Sequence, residues 1–161
     1  MTEILVIGIG NEMRGDDAAG LLAARRIKAA ALPDVTVRES AGDPAGLMEA
    51  WRGARKVCVI DCCAPMGEPG RIHRFDARAA PLPEVVRTHS SHGAGLGMAI
   101  ELARTLGALP PELTVFAIEG RAFDHGATPT PAIAKTIDAV TFLVSSEICH
   151  TLGTIAGMIA S

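Results

Sequence analysis

Aromatic residues are scarce in this chain: it has no Tyr, one Trp and four Phe, 3% of 161 positions. Single-stranded nucleic acids are held on aromatic stacking platforms, so that class of partner is disfavoured at once. A dominant charge is missing too. Fifteen Lys and Arg against eighteen Asp and Glu leave a net charge of −3, too little to draw the protein to a phosphate backbone or an anionic lipid surface. The opening Met1-Thr2-Glu3 lacks the basic n-region of a secretory signal, and the apolar run behind it is short, so a cytoplasmic location is expected. The nearest approach to a membrane span, the C-terminal region, is interrupted by Glu147, Cys149 and His150, and no membrane partner is expected. Cys58, Cys62, Cys63 and Cys149 lack the spacing of a secreted disulfide framework, and the side chains of an adjacent pair diverge. Reduced thiols follow.

What is present is apolar substance: 48% of the residues, enough for one packed core, in a length that fits a single domain spanning residues 1–161. Short β-branched runs alternate with alanine-rich amphipathic segments, the pattern of βαβ units. The expected fold is α/β, a doubly wound domain with a twisted, mainly parallel five-stranded sheet and helices on both faces. Ile4 to Gly8 is continuously apolar, as in a central strand covered on both sides. A helix from Asp17 to about Ala30 follows, with Arg25, Arg26 and Lys28 in its last turns. Val35 to Val37 predicts a second strand, Gly46 to Arg52 a short helix and Lys56 to Asp61 a third strand next to the first. Ile72 to Phe75 alternates weakly and belongs at a sheet edge, and Pro81-Leu82-Pro83 marks a loop. A helix from His92 to Leu106 and a strand from Glu112 to Ile118 come next. Thr130-Pro131 reads as an N-cap followed by proline at the first helical position, opening a helix to about Leu143 whose helical continuation past Ser145 is expected.

Open α/β sheets bind ligands beyond the carboxyl ends of their strands, so the loops there carry the chemistry. After the first strand comes Gly8-Ile9-Gly10-Asn11-Glu12-Met13-Arg14-Gly15-Asp16-Asp17; the third strand ends on Asp61; Ser90-Ser91-His92 opens a helix that Ser91 can cap. Two carboxylates and an imidazole converging on one crevice would make a metal site with open positions for water or substrate. Plainer readings stand beside this one. Asp16 and Asp17 suit a helix N-terminus in any protein, Asp61 suits a solvated strand end, and His89 competes with His92. Cys62 and Cys63 are either soft ligands or packing residues. Cys149 and His150 read as structural, and Glu119 as a second-shell base or a surface carboxylate near a turn. A dinucleotide loop fits poorly, because Gly15 falls five residues after Gly10 and two aspartates would face a pyrophosphate.

The segment from Gly8 to Gly20 resembles the opening motif of the [NiFe]-hydrogenase maturation endopeptidases, G-x-G-N-x-x-x-x-D-[DE]-x-x-G after the first strand. Val59-Ile60-Asp61 is similar to the family's strand ending in a ligating Asp, Ser91-His92 with Gly95-Leu96 to its helix-opening His segment, and Ala127-Thr128-Pro129-Thr130 to the turn before its last long helix. Ser40-Ala41-Gly42-Asp43-Pro44 departs from the glycine-rich turn usual there. The resemblance implies an endopeptidase that removes a C-terminal extension from a nickel-loaded hydrogenase large-subunit precursor. By motif position it puts metal ligation and catalysis on Asp17, Asp61 and His92, with Glu the commoner residue at the first of these. It also implies nickel that arrives with the substrate, for which zinc or cadmium can substitute in vitro. A non-cleaving, nickel-sensing assembly factor would use the same three residues.

Overall fold

Five runs rich in β-branched residues form one sheet: β1 Ile4–Ile9, β2 Val35–Ser40, β3 Lys56–Cys63, β4 Ile72–Asp76 and β5 Glu112–Glu119. They belong to a computed structural model that describes residues 3–88 and 95–160. The strand order is β2-β1-β3-β5-β4, parallel from β2 through β5. β4 runs antiparallel at the edge, with Ile72 opposite Ile118 and Asp76 opposite Thr114. The sheet is the mainly parallel α/β sheet expected, with β1 and β3 adjacent and the Ile72 segment at the rim.

The helices are α1 Ala19–Ala29, α2 Pro44–Trp51, α3 Glu84–Thr88, α4 Gly95–Thr105 and α5 Pro131–Ile159. Strand alternation sends successive side chains to opposite faces, and the two faces bury different partners. On one, Leu5, Ile7 and Ile9 of β1 with Val57 and Val59 of β3 pack on Leu47 and Trp51 of α2 and Ala99, Ile100 and Ala103 of α4. On the other, Ile4, Val6, Cys58, Ile60 and Phe116 pack on Ala19, Ala23 and Ile27 of α1 and on Ile133, Ile137, Val140, Val144 and Ile148 of α5. These α5 positions recur at three and four residues, one stripe of a helix. By length and composition α5 is also apolar enough to cross a bilayer. Here its stripe from Ile133 to Ile148 is spent on the sheet.

The chain leaves β1 for β2 on one side and returns through α2 to β3 on the other, so the topological switch point falls between β1 and β3. In doubly wound sheets the crevice outside the carboxyl ends at that point receives the ligand.

Some boundaries differ from the pattern-based ones, each for a local reason. Residues 15–18 form a 3-10 turn, so α1 begins at Ala19 and not at Asp17. α2 starts earlier, at Pro44, because Asp43 caps it through the Gly46 N–H at 2.7 Å. β3 continues through Cys62 and Cys63, whose side chains are buried in register with Ile118 and Glu119. α3 follows the proline loop and has too few residues to show a period. α5 runs without a break to Ile159, and α4 is described from Gly95, since the predicted start at His92 lies outside the described residues.

A polar network ties α5 to the sheet. Lys56 Nζ lies 3.0 Å from Glu112 and 3.1 Å from Glu147, and Arg74 donates two hydrogen bonds to Glu147 at 2.9 and 3.0 Å. Burial favours the protonated Glu147, but the hydrogen bonds from Arg74 and Lys56 outweigh it and hold the carboxyl below its ordinary value of 4.5. A carboxylate depressed in the folded state contributes stability that is full above its unfolded pKa and lost as pH falls through the folded one. Urea midpoints of the wild type should therefore fall with pH below about 4.5, and Glu147→Gln should be less stable at pH 7 with a flatter acid limb. Parallel limbs for the two proteins would contradict this role.

Candidate active site

The loop from β1 to α1 presents two neighbouring aspartates, both fully buried, that do different things. Asp16 accepts hydrogen bonds from the Arg121 N–H at 2.7 Å, the Ala122 N–H at 3.0 Å, the Thr130 N–H at 2.7 Å and the Thr130 hydroxyl at 3.0 Å. Backbone bonds reinforce the same contact: Asp16 N–H to Ala122 O, Gly15 N–H to Ala127 O and Gly126 N–H to Met13 O. Asp16 thus clasps the loop after β5 and the start of α5 to the loop after β1. Neither aspartate caps α1, whose N-terminal residue has no side-chain cap. Thr130 likewise does not cap α5 with its side chain, because that hydroxyl is spent on Asp16.

Asp17 occupies the next position of the 3-10 turn, and two glycines set where that position lies. A Cβ on Gly20 would collide with the carbonyl oxygens of Ile9 and Ile60, and one on Gly10 with the carbonyl oxygen of Asp17. Only glycine lets α1 settle onto the ends of β1 and β3. Asp17 thus sits in the turn after β1, and Asp61 follows Ile60 near the end of the neighbouring β3. Asp61 is 5% exposed at the C-terminal part of β3, and its Oδ1 accepts the Cys62 N–H at 2.8 Å. Asp61 with Cys63, Leu82, Val86, Arg87, Leu96 and Gly97 lines a small cavity, so the beginning of α4 reaches the same place. His92, with His89 and Ser91, lies outside the described residues. Among the described residues no three His, Cys, Asp or Glu side chains form a metal-holding group.

The thiols are packing residues of the core. Cys62 joins the α1 and α5 side, and its thiol is pushed well up by burial first and then by nearby acids, Asp61, Asp17 and Asp16 among them. Burial, then Asp61 and Glu119, raise Cys63 to about 12, and burial raises Cys58 to about 12 as well. Nucleophilic attack needs thiolate, which burial disfavours at all three. Cys149 and His150, read as structural, are both exposed on α5.

Glu119 departs from the surface carboxylate that its place near a turn suggested. It is 2% exposed, accepts the Met66 and Glu68 N–H groups at 2.8 and 3.1 Å, and bonds His73 Nε2 at 2.8 Å. Burial raises its pKa, but those three bonds overcome the effect and the net shift is downward. His73 carried no signal in the sequence, since a lone His on a weakly alternating strand is a common surface residue. A separate cavity of about 550 Å³, lined by Trp51, Arg52 and Pro111 among others, lies at the amino ends of the strands, opposite this crevice.

A family model for hydrogenase maturation proteases, HycI, matches residues 22–147, well over half of the chain. The chain belongs to the hydrogenase maturation protease family, and the protein is a peptidase of hydrogenase maturation. Among solved structures it is similar to the hydrogenase maturating endopeptidase HybD from E. coli, with TM-score 0.79 and 18% identity over 92% of this chain and 93% of that one. HybD from Thermococcus kodakarensis matches with TM-score 0.72 and 20% identity, covering 89% of this chain and 97% of the other. HycI from Thermococcus kodakarensis KOD1 shares 26% identity at TM-score 0.66, covering 90% and 91%. A search of curated protein sequences finds no match.

The contrast between the aspartates has a direct consequence for stability. Asp16→Ala takes the acceptor from the part-buried N–H groups of Arg121, Ala122 and Thr130 and should cost about 2 kcal/mol or more by urea denaturation. A loss below about 1 kcal/mol would contradict the clasp. In the native protein at pH 7.5, iodoacetamide should label Cys149 alone, with Cys58, Cys62 and Cys63 labelled only after unfolding. Native labelling of Cys62 or Cys63 would overturn the packing role.

Proposed function

We propose that this peptidase removes the C-terminal extension of a hydrogenase large-subunit precursor after nickel has been installed, with Asp17, Asp61 and His92 engaging open coordination positions of the nickel that the precursor carries. The observation that supports this most is that Asp17 lies in the turn after β1 and Asp61 near the end of β3, the two adjacent strands that flank the switch point. Two carboxylates and an imidazole are hard to intermediate ligands that complete a divalent ion already held by substrate thiolates. Leu96 and Gly97 of α4 line the cavity beside Asp61, and His92 precedes that helix by three residues in the sequence.

In this reading nickel is substrate cargo. It serves as a recognition element and as a Lewis acid near the scissile bond, while the buried carboxylates of the chain hold it in position. Asp16 is excluded from ligation because its oxygens already accept from Arg121, Ala122 and Thr130. Zinc or cadmium, with compatible ligand preferences, would occupy the same three residues in a soaked crystal.

The test is mass spectrometry of nickel-loaded precursor after incubation with each folded variant. The wild type should shorten the precursor by the mass of its extension. Asp61→Asn, nearly isosteric but neutral, should abolish cleavage while preserving the circular dichroism spectrum. Asp17→Asn should lower cleavage by about a hundredfold or more, the scale on which first-sphere electrostatic groups act, and Asp17→Glu should retain it. His92→Ala should cost more than His89→Ala. Normal cleavage by Asp61→Asn contradicts the metal-reading role, and an unchanged precursor mass with wild type favours an assembly factor that does not cut.

A further inference from the structure

On the α3 side of the sheet a groove of about 570 Å³ opens beside the candidate site, lined by Met66, Glu68, His73, Phe75, Val85, Val86 and Glu119 among others. It is continuous with the site in two ways. Val86 also lines the cavity that Asp61 borders. Across the sheet Asp61 pairs with Ala117 and Ala117 with His73, so one row leads from the catalytic aspartate to the groove with only an alanine between. Two strand spacings separate Asp61 from His73, about 10 Å.

The groove combines apolar walls with a fixed polar group. Phe75, Val85, Val86 and Met66 supply apolar surface, and the His73 ring stacks on Phe75 with an interplanar angle of 3°. The buried Glu119 carboxylate bonds His73 Nε2, which fixes the ring and leaves Nδ1 as its second polar atom.

The edge of β4 borders this groove. In an antiparallel pair, hydrogen-bonded and non-bonded residues alternate. The bonds from Glu119 N–H to Arg71 O and from Ala77 N–H to Leu113 O make the odd-numbered residues of β4 the ones bonded to β5. Ile72 and Arg74 therefore turn their backbone N–H and C=O groups outward, and among the described residues no strand pairs there. A strand added at this edge would drop alternate side chains over the face that carries His73 and Phe75.

We propose that the β4 edge and the His73–Glu119 groove bind the substrate's C-terminal extension as a sixth strand, with one apolar side chain seated among Phe75, Val85 and Val86. The inference rests on the peptidase reading above, since it takes the extension as the segment that leaves the folded precursor and lies extended. β4 is antiparallel to β5, so its Ile72 end lies at the same carboxyl end of the sheet as Asp61. A sixth strand lies about 14 Å from Asp61, a gap that four or five extended residues span. The site therefore sets which extension is accepted, apart from the metal that marks the precursor as ready.

The experiment is amide hydrogen exchange on the full-length protein, alone and with synthetic peptides of the extensions of each large-subunit precursor from its own organism, without metal. The Ile72 and Arg74 amides should exchange about tenfold or more slowly with the extension of the precursor that is cleaved. Val85→Glu should remove that protection and raise KM for loaded precursor about tenfold with kcat unchanged. Unchanged exchange at both amides with the extension of a cleaved precursor overturns this proposal and leaves the peptidase reading intact. Protection without cleavage of any loaded precursor does the reverse. The absence of both sinks both. Protection that grows with protein concentration without peptide assigns the edge to a second copy of this chain and also overturns the proposal.

Discussion

The carboxylate of Asp16 is the interaction on which the architecture of the catalytic end depends. It joins three stretches distant in the chain: the loop after β1, the loop after β5 at Arg121 and Ala122, and Thr130 at the head of α5. Each of these bonds is part-buried and ends on a carboxylate with no exposure to water, which would cost free energy unpaired. One anion satisfies them together, and charge-assisted bonds of this kind exceed neutral ones in strength. Its loss would release the first turn of α5 and the loop whose position defines Asp17.

With the clasp in place, division of labour between neighbours follows from geometry. Asp16 turns inward and is consumed by structure, while Asp17 takes the next position of the turn that the close approach of Gly10 and Gly20 sets at the end of β1. The thiols at Cys62 and Cys63 are packed in the core, and burial with nearby acids disfavours their thiolates. In the proposed reading, a cation presented by the substrate is what the Asp17 and Asp61 carboxylates meet, and the loaded precursor is favoured over the empty one.

The sheet was legible because its signal is additive: continuous apolar runs at Ile4 to Ile9 and Lys56 to Ile60 identify central strands, and the weak alternation at Ile72 identifies the rim. The placement of Asp61 followed from the same reasoning. What escaped were features decided by tertiary partners. The spacing of Asp16 and Asp17 before a helix suits capping equally well, and only the arrival of Arg121 and Thr130 from over a hundred residues away separates their roles. Glu119 looked like a strand-end carboxylate because nothing local announces the Met66 and Glu68 amides or His73 that enclose it. The short α3 lay below the reach of periodicity because it is too brief, whereas the helical continuation of α5 past Ser145 was expected and is observed.

The central claim is that Asp17 and Asp61 read the metal state of the precursor. Calorimetric titration of the protein with nickel-loaded and with metal-free precursor tests it most directly, using a precursor altered at its cleavage site so that binding alone is measured. The account predicts at least about tenfold tighter binding of the loaded form, a difference of about 1.4 kcal/mol or more, which disappears in Asp61→Asn. Equal affinity of the wild type for both forms would contradict it.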